Sequence, residues 1–186
     1  MFSRYNHLGI IYFAKKFNLK KKNYNFRNNR IVIDNKETNL STDQLRYISN
    51  ICRVNKVKLY IRDDFKLAIK IKANGIFLSA NNRRRLINSF FNKKNFEVLG
   101  SAHNQIDYLF KLGQNCSLIT LSPIFFNPKY SKNKILNAIK FNLIAKEWKI
   151  NIAALGGITL KNIKQIKLTK ATVIGSRNLV ENYCDV

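Results

Sequence analysis

Residues 152–159 read IAALGGIT, an apolar run that stops at two adjacent glycines and is followed by a threonine. The run is too short to span a membrane and too uniformly apolar for a half-exposed strand, so it predicts a strand buried on both faces. Gly156 and Gly157 allow positive φ and close backbone approach, and Thr159 is placed to cap a following helix. This combination favours a bound phosphate. A tight strand-to-helix turn can also need glycine for steric reasons alone.

Seven further apolar or β-branched runs bring the number of predicted strands to eight. In chain order the strands are 9–13, 30–34, 57–61, 75–79, 96–100, 117–122, 151–155 and 172–176. Segments with helical spacing lie between most of them, starting after Ser41, Asp64, Asn81 and Asn104, at 134–149, and after Thr159. Strands that alternate with helices predict a parallel sheet with crossover helices.

Eight such units predict an α/β fold of the TIM-type (β/α)8 barrel kind. The 186 residues of the chain are fewer than the roughly 200 to 250 usual for that fold, so we predict a trimmed barrel. The segment between the first two strands is lysine-rich and poorly periodic, which predicts a first helix that is reduced or missing. An open doubly wound sheet is the alternative, but no G-x-G-x-x-G follows a strand. Without an internal linker, residues 1–186 are predicted to form a single domain.

Charge and cysteine content limit the classes of partner. The chain has 34 Lys and Arg against 10 Asp and Glu, a formal net charge of +24. Such a charge attracts nucleic acid, anionic membranes or phosphorylated ligands, so a basic nucleic-acid-binding protein remains a less favoured alternative.

Cys52, Cys116 and Cys184 are odd in number and lack metal-ligand spacing, which argues against a disulfide framework or a zinc site. No apolar run approaches the roughly 20 residues of a membrane span, and we expect a soluble cytoplasmic protein.

The candidate site residues directly follow the predicted strands, because barrels of this type carry their active sites at the carboxyl ends of the strands. These candidates are Lys36, Asp63, Asn81, Asn82, Ser101, His103, residues 123–132, Gly156, Gly157 and Ser176. The last three follow strands seven and eight, the corner that frequently holds a phosphate in this fold. Ser176 is either a donor to that phosphate or an ordinary turn residue.

Asp63 and Asp64 form the only acidic pair near a predicted strand end. A carboxylate there can hold Mg²⁺, which prefers oxygen ligands and usually bridges to substrate phosphates. Alternatively, Asp64 caps the following helix and Asp63 is solvated. His103 has two readings of the same kind, since it either contacts a ligand or has a local partner.

Four stretches resemble, in order and spacing, the thiamine-phosphate synthase and TenI-type family, over about Asn35 to Val180. They are LYIRDDFKLAIKIKANGIFLS (59–79), LGSAHN (99–104), ITLSPIF (119–125) and IAALGGITLKNI (152–163). The resemblance implies a transferase of thiamine biosynthesis that couples an aminopyrimidine diphosphate to a thiazole phosphate, with Mg²⁺ on the diphosphate that leaves. It implies small phosphorylated substrates and leaves a homo-oligomer open.

Several residues match the family's functional positions. Gly157, with Gly156 beside it, and Ser176 fall on the thiazole-phosphate contacts. Ser101 matches a serine on the diphosphate side, and Lys36 matches the lysine of a Gln-x-Arg-x-Lys strand. The resemblance therefore implies thiazole-phosphate binding by the first three residues and catalytic roles for the last two.

Other positions depart from the family pattern. Val32 and Asp34 occupy the places of the Gln and Arg in that strand. Asp63 matches the aspartate of an Asn-Asp metal motif, but Arg62 replaces the Asn, and Asn82 stands where a second metal aspartate is expected. Asp63 and Asn82 are thus the implied metal ligands, and one carboxylate has been lost.

The loop after Pro-Ile-Phe also departs from the family, because Thr-x-Thr-Lys has become NPKYSK (127–132). Asn127, Lys129 and Lys132 are the substitutes, with Lys129 as a third catalytic candidate. We hypothesise that Arg62 and these lysines neutralise the diphosphate directly. TenI-type tautomerases place a histidine at Pro123, so that activity is not supported. A TenI-like or degenerate member that binds a phosphorylated ligand without synthase activity is the alternative.

Overall fold

Eight parallel strands form a closed barrel in the computed structural model, which describes residues 9–14, 29–84, 95–128 and 130–176. Neighbours in sequence are neighbours in the sheet, and β8 pairs with β1 to close it. The strands are β1 Gly9–Ala14, β2 Asn29–Ile33, β3 Lys58–Arg62, β4 Gly75–Leu78, β5 Glu97–Ala102, β6 Leu118–Leu121, β7 Asn151–Leu155 and β8 Val173–Ser176. The eight predicted strands and the barrel are confirmed, and the open-sheet alternative is wrong.

Helices follow most of the strands. Within the described residues they are α1 Asn35–Thr38, α2 Thr42–Val54, α3 Phe65–Lys70, α4 Gln105–Gly113 and α5 Asn137–Glu147, with 3₁₀ helices at Lys132–Lys134 and Ile163–Leu168. The segment predicted to have a reduced first helix and most of the helix predicted after Asn81 lie outside the described residues. Among the described helices, none has the length and apolarity needed to cross a membrane.

Polar side chains set the start of α2, α3 and α4. Ser41 and Gln44 form a reciprocal capping box at α2. The Asp64 carboxylate accepts from an α3 backbone N–H at 2.9 Å, and the Asn104 amide oxygen accepts from an α4 N–H at 2.9 Å. Each cap satisfies an N–H that the first turn of a helix leaves unpaired. The reading of Asp64 as a helix cap is therefore the observed one.

The turn after β7 differs from the predicted helix with Thr159 as its cap. The Thr159 N–H donates to Asn162 Oδ1 at 2.8 Å, and Asn162 Nδ2 donates to the Gly157 carbonyl at 2.7 Å. A 3₁₀ helix starts only at Ile163. The prediction of a Thr159 cap is wrong because the Asn162 side chain both donates and accepts across this turn, and the Thr159 carbonyl accepts from the backbone N–H groups of Asn162 and Ile163.

Alternation along the strands separates an inner and an outer layer of side chains. The barrel interior is filled by Ile11, Val32, Tyr60, Phe77, Leu99, Leu118, Ala153 and Val173, one from each strand. Their sequence neighbours point outward and pack beneath the helices. Two residues further along, the inward face carries Asp34, Arg62, Ser101 and Thr120. The carboxyl-end mouth of the barrel is therefore polar at β2, β3, β5 and β6, directly above an apolar floor.

The opposite opening of the barrel holds a partly buried network around Glu97. Its Oε2 accepts from the Tyr60 hydroxyl at 2.6 Å, and its Oε1 pairs with the Lys58 ammonium. Burial alone would raise the pKa of Glu97, but the hydrogen bonds from Lys58 and Tyr60 outweigh it and hold that pKa below its ordinary value. Folding therefore favours the ionised carboxylate.

This network predicts a loss of stability in acid. Because the pKa of Glu97 is lower in the folded state, its contribution is complete above the unfolded-state pKa and is lost as the pH falls through the folded-state value. Glu97→Gln should be less stable than the parent at pH 7, and the difference should shrink below a pH of about 4. Urea unfolding at the two pH values measures it. A difference that is undiminished in acid would contradict this role.

Candidate active site at the carboxyl ends of the strands

The two glycines after β7 are required by the packing of the backbone. Gly156 and Gly157 have φ of 93° and 70°. A β-carbon on Gly157 would lie 2.3 Å from the Phe126 carbonyl oxygen and 2.5 Å from that of Phe125, and one on Gly156 would lie 2.9 Å from Pro123 Cα. Such distances exclude any side chain. The steric reason for the glycines is therefore observed, because the loop after β6 crosses directly over them.

The same corner also presents backbone donors. Leu155 of β7 pairs with Gly175 of β8, so the two strands end side by side. Within the described part of the chain, the N–H groups of Gly157 and Ile158 have no hydrogen-bond acceptor. Buried N–H groups without an acceptor are rare in folded proteins, and Ile158 is only 4% exposed. Ser176, also buried, ends β8 at this corner.

Arg62 lies between two carboxylates at the end of β3. Its Nη1 is 3.2 Å from Asp34 Oδ2, and its Nε is 3.6 Å from Asp63 Oδ2. The side chain is 29% exposed, and neither of these ion pairs uses Nη2. A small cavity beside the guanidinium is lined in part by Phe13, Asp34 and Glu37. The arrangement leaves Nη2 outside both ion pairs.

Asp63 and Asn82, the two predicted metal ligands, are in direct contact. Asp63 Oδ1 accepts from Asn82 Nδ2 at 2.8 Å and from the Ser79 N–H at 2.9 Å, so the reading of Asp63 as simply solvated is wrong. Asn82 Oδ1 accepts from the Arg84 N–H at 3.2 Å. Among the described residues, no three His, Cys, Asp or Glu side chains cluster to hold a metal.

These two residues do not fit a protein-held Mg²⁺ as they are arranged. Both oxygens of Asp63 face N–H donors or a guanidinium, and Asn82 turns its amide nitrogen rather than its oxygen toward Asp63. Hard cations need oxygen ligands that are directed at them. The Mg²⁺ site therefore stays a prediction.

The contact between Asp63 and Asn82 makes a direct prediction. Asn82→Asp places two carboxylates within hydrogen-bond distance, so the variant should lose about 2 kcal/mol of unfolding free energy at neutral pH. Adding Mg²⁺ should raise its melting temperature, whereas the parent and the control Asp64→Asn, which keeps a helix cap, should not respond. Differential scanning calorimetry with and without Mg²⁺ measures this. An equal Mg²⁺ response in the parent would mean that the native pair already holds the cation.

His103 has a local partner, as its second reading predicted. Its Nδ1 lies 2.8 Å from the Ser122 carbonyl oxygen and 3.1 Å from Ser122 Oγ, and its backbone N–H donates to Asp107 Oδ2 at 3.1 Å. A carbonyl oxygen only accepts, so Nδ1 carries the proton in this contact. The Tyr130 ring lies 5.7 Å away, centroid to centroid. His103 stays exposed at the mouth, where ligand contact remains a prediction.

Ser101 is a buried residue of β5, on the inward face. It pairs in register with Thr120 of β6, so two hydroxyls lie side by side above the apolar floor. The Thr120 hydroxyl is fully buried and has no hydrogen-bond partner within the described residues. Ser101 thus occupies the position from which a side chain reaches the mouth of the barrel.

Two of the predicted lysines, Lys36 and Lys132, follow the carboxyl ends of β2 and β6. Lys36 is exposed on α1, beyond the end of β2, and its backbone N–H donates to Asp34 Oδ1 at 3.1 Å. Lys132 is exposed at the start of a 3₁₀ helix, and Asn127 is half-buried in the loop after β6. Lys129 lies outside the described residues. Lys36 is therefore next to the Arg62 and Asp34 pair, although it is not in a strand.

Two residues that hold the site were not predicted from the sequence. Lys111 and Gln114 of the α4 region both donate to the Asn82 carbonyl, at 2.6 Å and 3.0 Å. The signal that could have found them is helical spacing, since Lys111 lies three residues after the buried Tyr108, on the face that packs against the barrel. A lysine at such a core position needs a polar partner.

Residues 21–177 match the family model described as thiamine monophosphate synthase, which confirms the predicted resemblance. The chain is 30% identical over 149 residues to the thiamine-phosphate synthase of Pelagibacter ubique, covering 79% of this chain and 72% of that protein. It is 28% identical over 128 residues to the enzyme of the same name from Flavobacterium psychrophilum, covering 66% of this chain and 62% of the relative.

Solved structures share the architecture. Thiamine phosphate pyrophosphorylase from Pyrococcus furiosus superposes with a TM-score of 0.71 at 15% identity, covering 96% of this chain and 89% of that one. The YdjI aldolase from Escherichia coli K12 has a TM-score of 0.66 at 12% identity, covering 96% and 78%. At such identities the likeness shows the fold alone, which serves different chemistries.

Proposed function

The chain belongs to the thiamine monophosphate synthase family, and from that membership and the arrangement of the strand ends we propose that it makes thiamine phosphate. In this proposal it is a transferase that couples an aminopyrimidine diphosphate to a thiazole phosphate with release of diphosphate. The corner between β7 and β8 is the observation that carries the proposal, because it presents two backbone N–H groups without an acceptor in the described chain.

The thiazole phosphate binds at that corner in our proposal. The N–H groups of Gly157 and Ile158 donate to its phosphate oxygens, and Gly156 keeps the backbone open toward them. Ser176 contributes from the adjacent end of β8. Convergent backbone amides are a general means of holding a phosphate without a positively charged side chain.

The diphosphate lies across the barrel mouth, at the ends of β2, β3 and β5. Arg62 donates to the diphosphate from Nη2, which neither ion pair uses, and Ser101 donates from its hydroxyl. Lys36 lies on the same side, next to Asp34. Guanidinium and ammonium groups suit the dense charge of a diphosphate because charge-assisted hydrogen bonds are the strongest that side chains offer.

The remaining predicted contacts come from the loop after β6 and the end of β5. In our proposal Asn127 donates its amide to the leaving group, Lys129 and Lys132 add positive charge, and His103 contacts the substrate from beside Ser122. Among these residues we assign catalysis to Lys129, together with Ser101 and Lys36. Their task is to stabilise charge on the departing diphosphate.

The reaction needs placement and charge stabilisation more than proton transfer. The thiazole nitrogen attacks the pyrimidine methylene carbon while the bond from that carbon to the diphosphate oxygen breaks. The bonding electrons leave with the diphosphate, and the ring nitrogen becomes a cationic thiazolium. The β7 and β8 corner fixes the nucleophile, and Arg62, Ser101 and the lysines stabilise the leaving group.

Initial-rate measurement of thiamine phosphate formation from the two substrates tests the proposal. The parent protein should form product, and both Asp63→Ala and Gly157→Asp should lose it, whereas Lys140→Ala on the exposed face of α5 should not. No product from folded parent protein would refute the synthase activity. We expect the activity in a cytoplasmic protein whose partners are small phosphorylated molecules, with a homo-oligomer left open.

A family member that binds phosphate without synthase activity is the second candidate. The Asp34 carboxylate favours it, because it stands at the mouth where the family has an arginine and neutralises Arg62 in part. Calorimetric titration with each substrate separates the two functions. Binding of both substrates supports the synthase, and binding of the thiazole phosphate alone supports this alternative. Within the residues that the structure describes, no comparable observation favours the charge-driven nucleic-acid binder.

A further inference from the structure

Lys111 is fully buried between α4 and the barrel. Its Nζ donates to the Asn82 carbonyl at 2.6 Å and to Gln114 Oε1 at 2.9 Å. Gln114 Nε2 in turn donates to the carbonyls of Asn82 and Arg84, at 3.0 Å and 2.8 Å. The loop after β4 is therefore held by two side chains that act on its backbone, rather than by its own turns alone.

The barrel makes room for this lysine. A β-carbon on Gly100 of β5 would lie 2.9 Å from Lys111 Cδ and 2.8 Å from Cys116 Sγ. Glycine weakens a strand interior and often marks a place where another group approaches closely. Burial lowers the pKa of Lys111, and the negative charges of nearby groups, Asp63 and Asp107 among them, act in the opposite direction. Gly100 thus leaves room for the Lys111 side chain, and the nearby carboxylates favour its charged form.

A chain of contacts leads from Lys111 to the mouth of the barrel. Lys111 holds the backbone of Asn82, and the Asn82 side chain donates to Asp63 Oδ1 at 2.8 Å. The other oxygen of Asp63 faces Arg62 Nε at 3.6 Å. Each link constrains the next side chain, so displacement of Asn82 would leave Asp63 Oδ1 with the Ser79 N–H as its remaining donor and would loosen the contact of Asp63 with the guanidinium.

We propose that Lys111 is a positioning residue for the diphosphate subsite: it fixes Asn82 so that Asp63 holds the Arg62 guanidinium in place for the leaving group. The inference rests on the proposed function, because it needs the diphosphate to bind at Arg62. A purely structural lysine would affect the stability of the fold without changing the affinity for either substrate.

Lys111→Met tests the proposal, because methionine keeps the unbranched apolar stem beside Gly100 and removes only the ammonium. Titration calorimetry with inorganic diphosphate should show about tenfold weaker binding than in the parent. In the formation assay, the KM for the aminopyrimidine diphosphate should rise by a similar factor while the KM for the thiazole phosphate stays unchanged. Lys140→Met, an exposed lysine of α5, is the matched control and should match the parent.

The diphosphate titration keeps this inference separate from the synthase activity. A parent protein that forms no thiamine phosphate would refute the proposed function. The diphosphate titration would still show whether Lys111 affects diphosphate binding. Unchanged diphosphate affinity in Lys111→Met, with only a lower melting temperature, would overturn the positioning role, as would a parent that binds no diphosphate. If Lys111→Met fails to fold, Gly100→Ala is the second variant, because its β-carbon would displace the Lys111 side chain. The diphosphate affinity and the two KM values are then measured on Gly100→Ala.

Discussion

Gly157→Ala is expected to lower the melting temperature substantially and to abolish binding of the thiazole phosphate. Its φ of 70° is costly for any residue with a β-carbon, and that carbon would lie 2.3 Å from a backbone carbonyl oxygen. Backbone cannot move aside as a flexible side chain does. Left-handed strain and overpacking together amount to about 3 kcal/mol, which for a chain of this size lowers the melting temperature by about 6–12 °C.

Gly113→Ala is the matched control for this effect. Gly113 ends α4, and a β-carbon there would have no heavy atom within 4 Å. Because alanine is the better helix former, Gly113→Ala should be neutral or stabilise the fold by up to about 1 kcal/mol. Scanning calorimetry of both variants separates the local packing requirement from a general effect of removing glycine. Equal melting temperatures for Gly157→Ala and the parent would contradict the close crossing of the β6 loop.

Arg62→Met is expected to reduce kcat/KM for the aminopyrimidine diphosphate by about a hundredfold. The substitution removes the guanidinium and also leaves Asp34 and Asp63 without their shared partner. Two uncompensated carboxylates at the mouth repel a diphosphate, so the loss should exceed that of a single hydrogen bond. The KM for the thiazole phosphate should stay unchanged, because that substrate binds at the corner between β7 and β8.

Two further variants give this prediction its controls. Arg62→Lys keeps a positive charge without the planar fork and should be intermediate. Arg46→Met removes an exposed arginine of α2 that pairs with the exposed Asp43, and should match the parent. Steady-state kinetics with each substrate varied in turn measures all three. An Arg62→Met variant with an unchanged KM for the diphosphate substrate would show that Arg62 only balances the carboxylates.

The strand order of this barrel was predictable because buried parallel strands are apolar on both faces. Runs such as 152–155 and 173–176 therefore stand out against a lysine-rich background. The turn after β7 was less predictable. Thr159 and Asn162 are both residue types that close turns, and only the structure shows that the asparagine side chain spans back to the Gly157 carbonyl.

The site was predictable in part for a related physical reason. Asp63 and Asn82 follow neighbouring parallel strands, so their closeness follows from the fold. The fold does not determine the direction of the two side chains. In the structure the Asn82 amide nitrogen points at the Asp63 carboxylate and donates to it, so the two residues do not present their oxygens to a common cation. Lys111 was missed because a lysine on a helix usually lies in solvent, whereas its partner carbonyl is 29 residues earlier in the chain.

The central claim is that the corner between β7 and β8 holds the phosphate of the thiazole substrate. Titration calorimetry of the parent protein with the thiazole phosphate and with the unphosphorylated thiazole alcohol tests it most directly. We predict that the phosphorylated compound binds at least about a hundredfold more tightly, and that inorganic phosphate competes with it. Equal affinities for the two compounds, or binding that inorganic phosphate does not weaken, would contradict the claim.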